Sequence, residues 1–306
     1  MKTNVLGRVK NLRLASSKPL LPLYEAIINS IQAIEDANEK NGRIQVVFDR
    51  DKTLFSTEDR TLGDITTFEI TDNGIGFTDA NYESFLTSDT TYKASKGGKG
   101  VGRFMWLIAF EHAEITSTYG TDGDFITRSF RFAPTEEGIE NHLISKSEAK
   151  TRSTTVKLVR MREQYRRQCP KRLDTVAAYI AEHCLEYLIR GDCPSITVTD
   201  RSSGDSIDLN NFFEQEMSRK SEVAEIDFHG QRLRVLHIHL RSAHIQDHLI
   251  HYCADDRVVT SEKLSGRIPN LRQRLLDQNG EPFVYAAYIE ADFLNESVNP
   301  EDRILR

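Results

Sequence analysis

The sequence predicts an α+β protein in two domains, and three observations carry that expectation. The chain has 306 residues, more than one average domain. Residues 20–40, 103–113 and 172–190 read as helices. The stretches "AEITSTYG", "FITRSFRFA" and "STTVKLVRM" read as successive strands of one antiparallel sheet. We expect a first domain over residues 1–200 and a smaller α+β domain over residues 201–306.

The elements follow from local chemistry. In "LLPLYEAIINSIQAIEDANEK" (20–40) apolar residues recur at helical spacing, Pro22 suits a first turn, and Gly42 follows as a stop. "RIQVVFDR" (43–50) and "TTFEITD" (66–72) are strands by their β-branched content. Residues 78–99 are polar, lack periodicity and read as a mobile loop. "RFMWLIAFEHA" (103–113) reads as a buried helix, and "RLDTVAAYIAEHCLEYLIR" (172–190) as one long amphipathic helix. In the second domain His237 and His239 alternate as on a strand, and His244, His248 and His251 are spaced for one helix face. Packing and surface positions explain these histidines better than a metal site does.

Composition excludes several classes. Apolar residues make up 39% and charged residues 28%, the balance of a soluble globular protein. No stretch approaches the ~18 apolar residues of a membrane span, and the basic N-terminus lacks the apolar core of a secretory signal. The formal net charge of −6 argues against a general nucleic-acid coat. Cys169, Cys184, Cys193 and Cys253 form no CxxC pair, which points to free thiols in a reducing cytoplasm.

Three local patterns stand out. Glu25, Asn29, Gln32 and Asp36 fall on one face of the first long helix, a narrow polar stripe flanked by Ile28 and Ile31. "ITDNGIGF" ends a strand on Asp72 and follows it with Gly74 and Gly76. "KGGKGVGRF" packs four glycines between Gly97 and Gly102, directly before a helix. A glycine loop at a helix start offers free N–H groups and a positive dipole end to an anion. Taken singly, a strand-joining turn or a flexible loop tip explains either glycine segment. The glycine stretch fits neither GxxxxGK[ST] nor GxGxxG.

In order and together, the three patterns resemble the GHKL superfamily of gyrase, the heat-shock chaperone, histidine kinases and MutL, nearest to its chaperone, MutL and MORC-type ATPases. The family's E-x-x-x-N box matches Glu25-Ala-Ile-Ile-Asn29, and its D-x-G-x-G box matches Asp72-Asn-Gly74-Ile-Gly76. The G-x-x-G-x-G box matches Gly97 to Gly102, and the later G-T-x-V strand reads Ser153-Thr154-Thr155-Val156. The likeness covers roughly residues 20–160. Gln32 stands where the family has Asp, and Ser153 where it has Gly.

The resemblance implies a two-layer sandwich, helices over a mixed, mostly antiparallel sheet, followed by a transducer-like domain. It implies ATP and Mg²⁺ as cofactors. Asp72 would accept a hydrogen bond from the adenine amine, with Gly74 and Gly76 letting backbone approach the base and Thr154 supporting the same edge. Asn29 would offer a neutral oxygen to Mg²⁺. Gly98, Lys99, Gly100, Val101 and Gly102 would hold the phosphates, with Lys96 and Arg103 as further nearby charges. Glu25 would be the general base for the water that attacks the γ-phosphate. Arg303, in "SVNPEDR", would sense that phosphate. Residues 78–99 would be a lid whose closure drives an ATP-dependent homodimer acting on an unidentified protein or DNA client, as in DNA repair or phage defence. Two alternatives stand beside this ATPase: a nucleotide-sensing module without useful turnover, and a histidine-kinase-type phosphotransferase. His112, expected at the end of a buried helix, is no convincing phosphoacceptor.

Overall fold

The computed structural model describes residues 4–51, 62–87, 102–121, 124–190, 193–217, 221–240, 247–254, 257–268, 271 and 274–297. They form an α+β fold with two mixed sheets and divide into two compact units. Of the described residues, those up to 180 and from 193 to 209 belong to the first, and 181–190 and those from 210 onward to the second.

The first unit opens with α1 (Val5–Asn11) and α2 (Leu21–Asp36). Pro22 occupies the first turn of α2, where its missing N–H costs no hydrogen bond. Leu23, Ala26, Ile27, Ile31 and Ile34 are all buried, so tertiary packing outweighs the modest helix propensity of the isoleucines. The helix stops at Ala37, and the left-handed Asn38 (φ 50°) turns the chain toward β1 (Arg43–Arg50). Gly42 is needed later in that turn, because a Cβ there would lie 2.5 Å from the Ile34 side chain.

Strands β2 (Ile65–Asp72), β3 (Phe110–Thr121), β4 (Asp124–Phe132), β5 (Ile139–Ser147) and β6 (Ser153–Met161) follow, with β7 (Ser195–Asp200) and β8 (Ser206–Asp208) completing the sheet. Its order is β5-β4-β3-β6-β2-β1-β7-β8. Every pairing is antiparallel except the parallel β1–β7. Arg50, at the end of β1, holds that parallel junction by a buried 2.7 Å ion pair with Asp200.

Four expectations change at this level. Residues 78–99 are not loop throughout, since α3 spans Asp79–Leu86. Thr78 caps it by accepting from the Asn81 N–H, and Tyr82 and Phe85 pack against Phe130 at ring separations of 5.2 and 5.5 Å. The helix expected over 103–113 is α4, Gly102–Ala109, and the apolar run continues into β3, which carries His112. The expected helix over 172–190 is two, α6 (Leu173–His183) and α7 (Leu185–Arg190), after the short α5 (Glu163–Arg166). The second and third of the strands read as successive are separated in the chain by β5, where no residue is buried and no alternation shows.

From α8 (Leu209–Phe212), whose first residue still belongs to the first unit, the chain enters the second, which holds β9 (Ser221–Phe228), β10 (Gln231–Leu240), β11 (Leu249–Ala254), β12 (Arg257–Lys263), β13 (Leu275–Leu276), β14 (Pro282–Glu290) and α9 (Asp292–Ser297). Its sheet runs β12-β11-β14-β10-β9, with β13 paired to β14. His237 and His239 do lie on a strand, β10. His251 lies on β11 and His248 just before it, so the expected helix face is replaced by a sheet; His244 lies outside the described residues. None of the four cysteines is in a disulfide, and burial pushes the Cys169 thiol up to about 12.

Helix α4 is tied to α2 through Trp106, whose indole N–H donates to the Pro22 carbonyl at 3.1 Å and whose ring is 2% exposed. Trp106→Ala is expected to lower the unfolding free energy by about 3–5 kcal/mol in urea titrations. A loss under about 1 kcal/mol would show that this packing contributes little.

Candidate functional site

Asp72 is the last residue of β2 and 5% exposed. Its Oδ2 accepts from the Ser30 hydroxyl at 2.8 Å, and its Oδ1 accepts from the Gly74 N–H at 2.9 Å. Ser30 lies on α2, one residue after Asn29, so the carboxylate joins the helix to the strand end. The Ile75 N–H adds a bond to the Ala33 carbonyl at 2.9 Å. Burial raises the Asp72 carboxyl from 3.8 to about 6, with the Gly74 and Ser30 hydrogen bonds opposing that rise. Each carboxylate oxygen keeps a second acceptor direction for an incoming donor.

The glycines of this turn are required by their neighbours. A Cβ on Gly74 would stand 2.6 Å from the Ala33 carbonyl carbon, against the backbone of α2. Gly76 has φ +79°, and a Cβ there would meet the Ser117 Oγ at 2.8 Å and the Tyr119 Cβ at 3.0 Å. Asn73 fixes the turn from outside, accepting from the Arg43 N–H at 2.8 Å and donating to the Asn41 carbonyl at 2.9 Å.

Thr154 sits beside Asp72 in register on β6, and Ser117 sits beside Thr154 on β3. The two hydroxyls share a 2.8 Å hydrogen bond, and Ser117 also accepts from the Phe77 N–H at 2.9 Å. Asp72, Thr154 and Ser117 therefore form one buried polar row across three strands, with Gly76 over it. The structure thus brings together Asp72, Gly74, Gly76 and Thr154, and adds Ser30 and Ser117. Only strand register and helix placement reveal the last two; the sequence hint for Ser30 was its place directly after the Asn29 box.

The remaining predicted residues divide. Glu25 is 3% exposed on α2, whereas Asn29, one turn on, is exposed. The polar stripe is thus not one solvated face: Gln32 is also 3% exposed, and Asp36 is partly buried. Gly102 opens α4 and is buried. Gly98, Lys99, Gly100, Val101 and Arg303 lie outside the described residues, as does Lys96. Arg103, read as a nearby charge on the glycine loop, is buried and turned inward. Its guanidinium donates to the Thr87 carbonyl at 3.0 Å and lies over the Phe85 and Phe104 rings at 5.2 and 4.9 Å. This bond joins the C-terminal end of α3 to the start of α4.

Arg128, which no motif singled out, holds the other end of α3. From β4 it donates to the Phe77 and Thr78 carbonyls at 2.9 and 3.0 Å and pairs with Asp79. Its guanidinium lies over the Tyr82 ring at 4.4 Å. Both ends of α3 are thus clamped by buried arginines.

Among the described residues no group of three or more His, Cys, Asp or Glu side chains is placed to hold a metal ion, and no helix is long and apolar enough to cross a membrane. No protein-family model matches the chain, and no curated protein matches it.

Asp72 makes a pH prediction. The native carboxyl keeps its proton to about 6, whereas the unfolded one loses it near 3.8, so the native state binds more protons in between. Stability therefore falls as pH rises through that window. Relative to Asp72→Asn, the wild-type unfolding free energy is expected to drop by about 2 kcal/mol between pH 4 and pH 7. A flat difference across that range contradicts a strongly desolvated carboxyl.

Proposed function

We propose that the chain is a Mg²⁺-dependent, ATP-binding and ATP-hydrolysing conformational switch of the GHKL kind. The observation that carries this reading is the buried Asp72 carboxylate, held between β2 and the helix that also bears Glu25 and Asn29. A carboxylate in this position takes a hydrogen bond from the exocyclic amine of adenine; guanine presents a carbonyl oxygen at the equivalent position and is repelled. Gly102 supports the reading from the phosphate side. It starts a helix packed on α2, and a helix start favours anions.

Within this reading Glu25 orients and deprotonates the attacking water, and its burial keeps competing water away. Asn29 offers its side-chain oxygen to Mg²⁺, which when bound neutralises charge on the phosphates. Gly98, Lys99, Gly100 and Val101 contribute N–H groups and a cation to the same phosphates, and Arg303 senses the γ-phosphate. The clamped α3 is then the stem of the lid proposed over residues 78–99. Lid closure over ATP drives homodimerisation, and release of ADP reverses it. The client is a protein or DNA.

Phosphate release tests this directly. Wild-type chain is expected to hydrolyse Mg·ATP slowly, and Glu25→Ala to reduce turnover by about 10²–10⁴-fold while ATP still binds. A non-hydrolysable ATP analogue is expected to shift the chain toward a dimer. Unchanged turnover in Glu25→Ala defeats the assigned base. ATP-driven dimerisation without any phosphate release supports a nucleotide sensor instead, and label from γ-phosphate retained on the protein supports phosphotransfer.

A further inference from the structure

In the second unit three side chains line up from the surface inward. Strands β11 and β12 pair so that His251 and Ser261 are directly opposite each other. Ser261 is exposed, on the edge strand of its sheet, and its hydroxyl lies 2.8 Å from His251 Nδ1. A serine hydroxyl donates to Nδ1 when the imidazole carries its proton on Nε2. Nε2 is buried, makes no hydrogen bond among the described residues, and faces Glu182 Oε1 at 4.0 Å. His251 itself is 3% exposed.

Rigid elements hold this line. The His251 ring stacks on Tyr288 of β14, with centroids 4.4 Å apart and planes inclined by 24°. The Tyr288 hydroxyl donates to the Glu182 backbone carbonyl at 3.5 Å, tying the end of α6 to the same strand. Nucleophile-bearing hydroxyl, base and carboxylate thus sit on β12, β11 and α6, with the exposed Ser261 residue outermost and His251 buried behind it. Such a constellation is identified by geometry and roles rather than by chain order.

We propose that Ser261, His251 and Glu182 form a second reactive site, in which Ser261 is an acyl-accepting nucleophile toward carboxylic esters. Ser261 Oγ bonds to the ester carbonyl carbon as its proton passes to His251 Nδ1. The Glu182 carboxylate, facing the Nε2–H, stabilises the imidazolium. Collapse breaks the bond to the ester oxygen, and the leaving alcohol takes the proton from Nδ1. Water, deprotonated by the same nitrogen, then releases the acid and restores Ser261. Burial lowers the His251 imidazole to about 4 and raises the Glu182 carboxyl to about 7, so the ring is neutral at neutral pH but weakened as a base, and the Glu182 charge that supports the imidazolium develops as pH rises through about 7.

The test uses the full chain and a fluorophosphonate probe, which bonds through phosphorus to an activated serine oxygen and loses fluoride. Mass spectrometry is expected to find one adduct, on Ser261. Ser261→Ala is expected to remove it with an unchanged circular-dichroism spectrum. Glu182→Gln is expected to slow labelling by about tenfold or more, and His251→Asn by at least about 10²-fold. Ser261 is exposed and Glu182 half-buried, so these two variants decide the matter even if His251→Asn fails to fold. Absence of an adduct on Ser261, or equal labelling rates in wild type and Glu182→Gln, overturns the proposal. Phosphate release from ATP is expected to be the same in Ser261→Ala as in wild type, so this site and the nucleotide reading fail separately.

Discussion

The first unit depends on one buried carboxylate. Asp72 is kept from water between a helix and a strand end, and each of its oxygens is satisfied by a different partner, Ser30 from α2 and the Gly74 N–H from its own turn. A buried carboxylate left without those donors would cost several kcal/mol. The arrangement therefore fixes three things together: the height of α2 over the sheet, the path of the 72–76 turn, and the need for glycine at 74 against Ala33. The polar row through Thr154 and Ser117 extends that constraint over β6 and β3. Where such a row is fully bonded it specifies one packing rather than an ensemble.

A second layer of constraint comes from arginines. Arg128 and Arg103 reach the two ends of α3 through backbone carbonyls, and both stack on aromatic rings. Guanidinium groups suit this task because several donors in a fixed plane can satisfy carbonyls while the face lies on a ring. Both ends of α3, at Phe77–Thr78 and at Thr87, are thereby fixed. On the proposed reading this supplies two parts that a nucleotide switch requires, a fixed base-recognition floor and a fixed phosphate-side helix.

Much of the fold was legible because periodicity and burial agree. In α2 the apolar spacing, Pro22 and the following turn all point the same way, and β1, β2 and β6 alternate or carry β-branched runs. The misses have physical causes. The run Phe104 to Phe110 is apolar throughout, so nothing local marks where α4 passes into β3. Helix α3 hides because its outer face is polar and its helical state rests on Tyr82 and Phe85 reaching β4 aromatics. β5 shows no alternation because it is an edge strand with few buried side chains. For the site, Asp72 and its two glycines were legible from the motif. Ser30, Ser117 and Arg128 were not, since each acts through a partner roughly 40 or 50 residues away, set by tertiary register alone.

The central claim is that Asp72 is the acceptor in a base-recognition floor. Calorimetric titration of the wild-type chain with ATP and with GTP, in Mg²⁺ at neutral pH, tests it most directly. A charged acceptor facing the amine of adenine contributes about 1.5–3 kcal/mol, so ATP is expected to bind about 10–100-fold more tightly than GTP. Equal affinity for the two nucleotides, or no binding of either, would contradict the account.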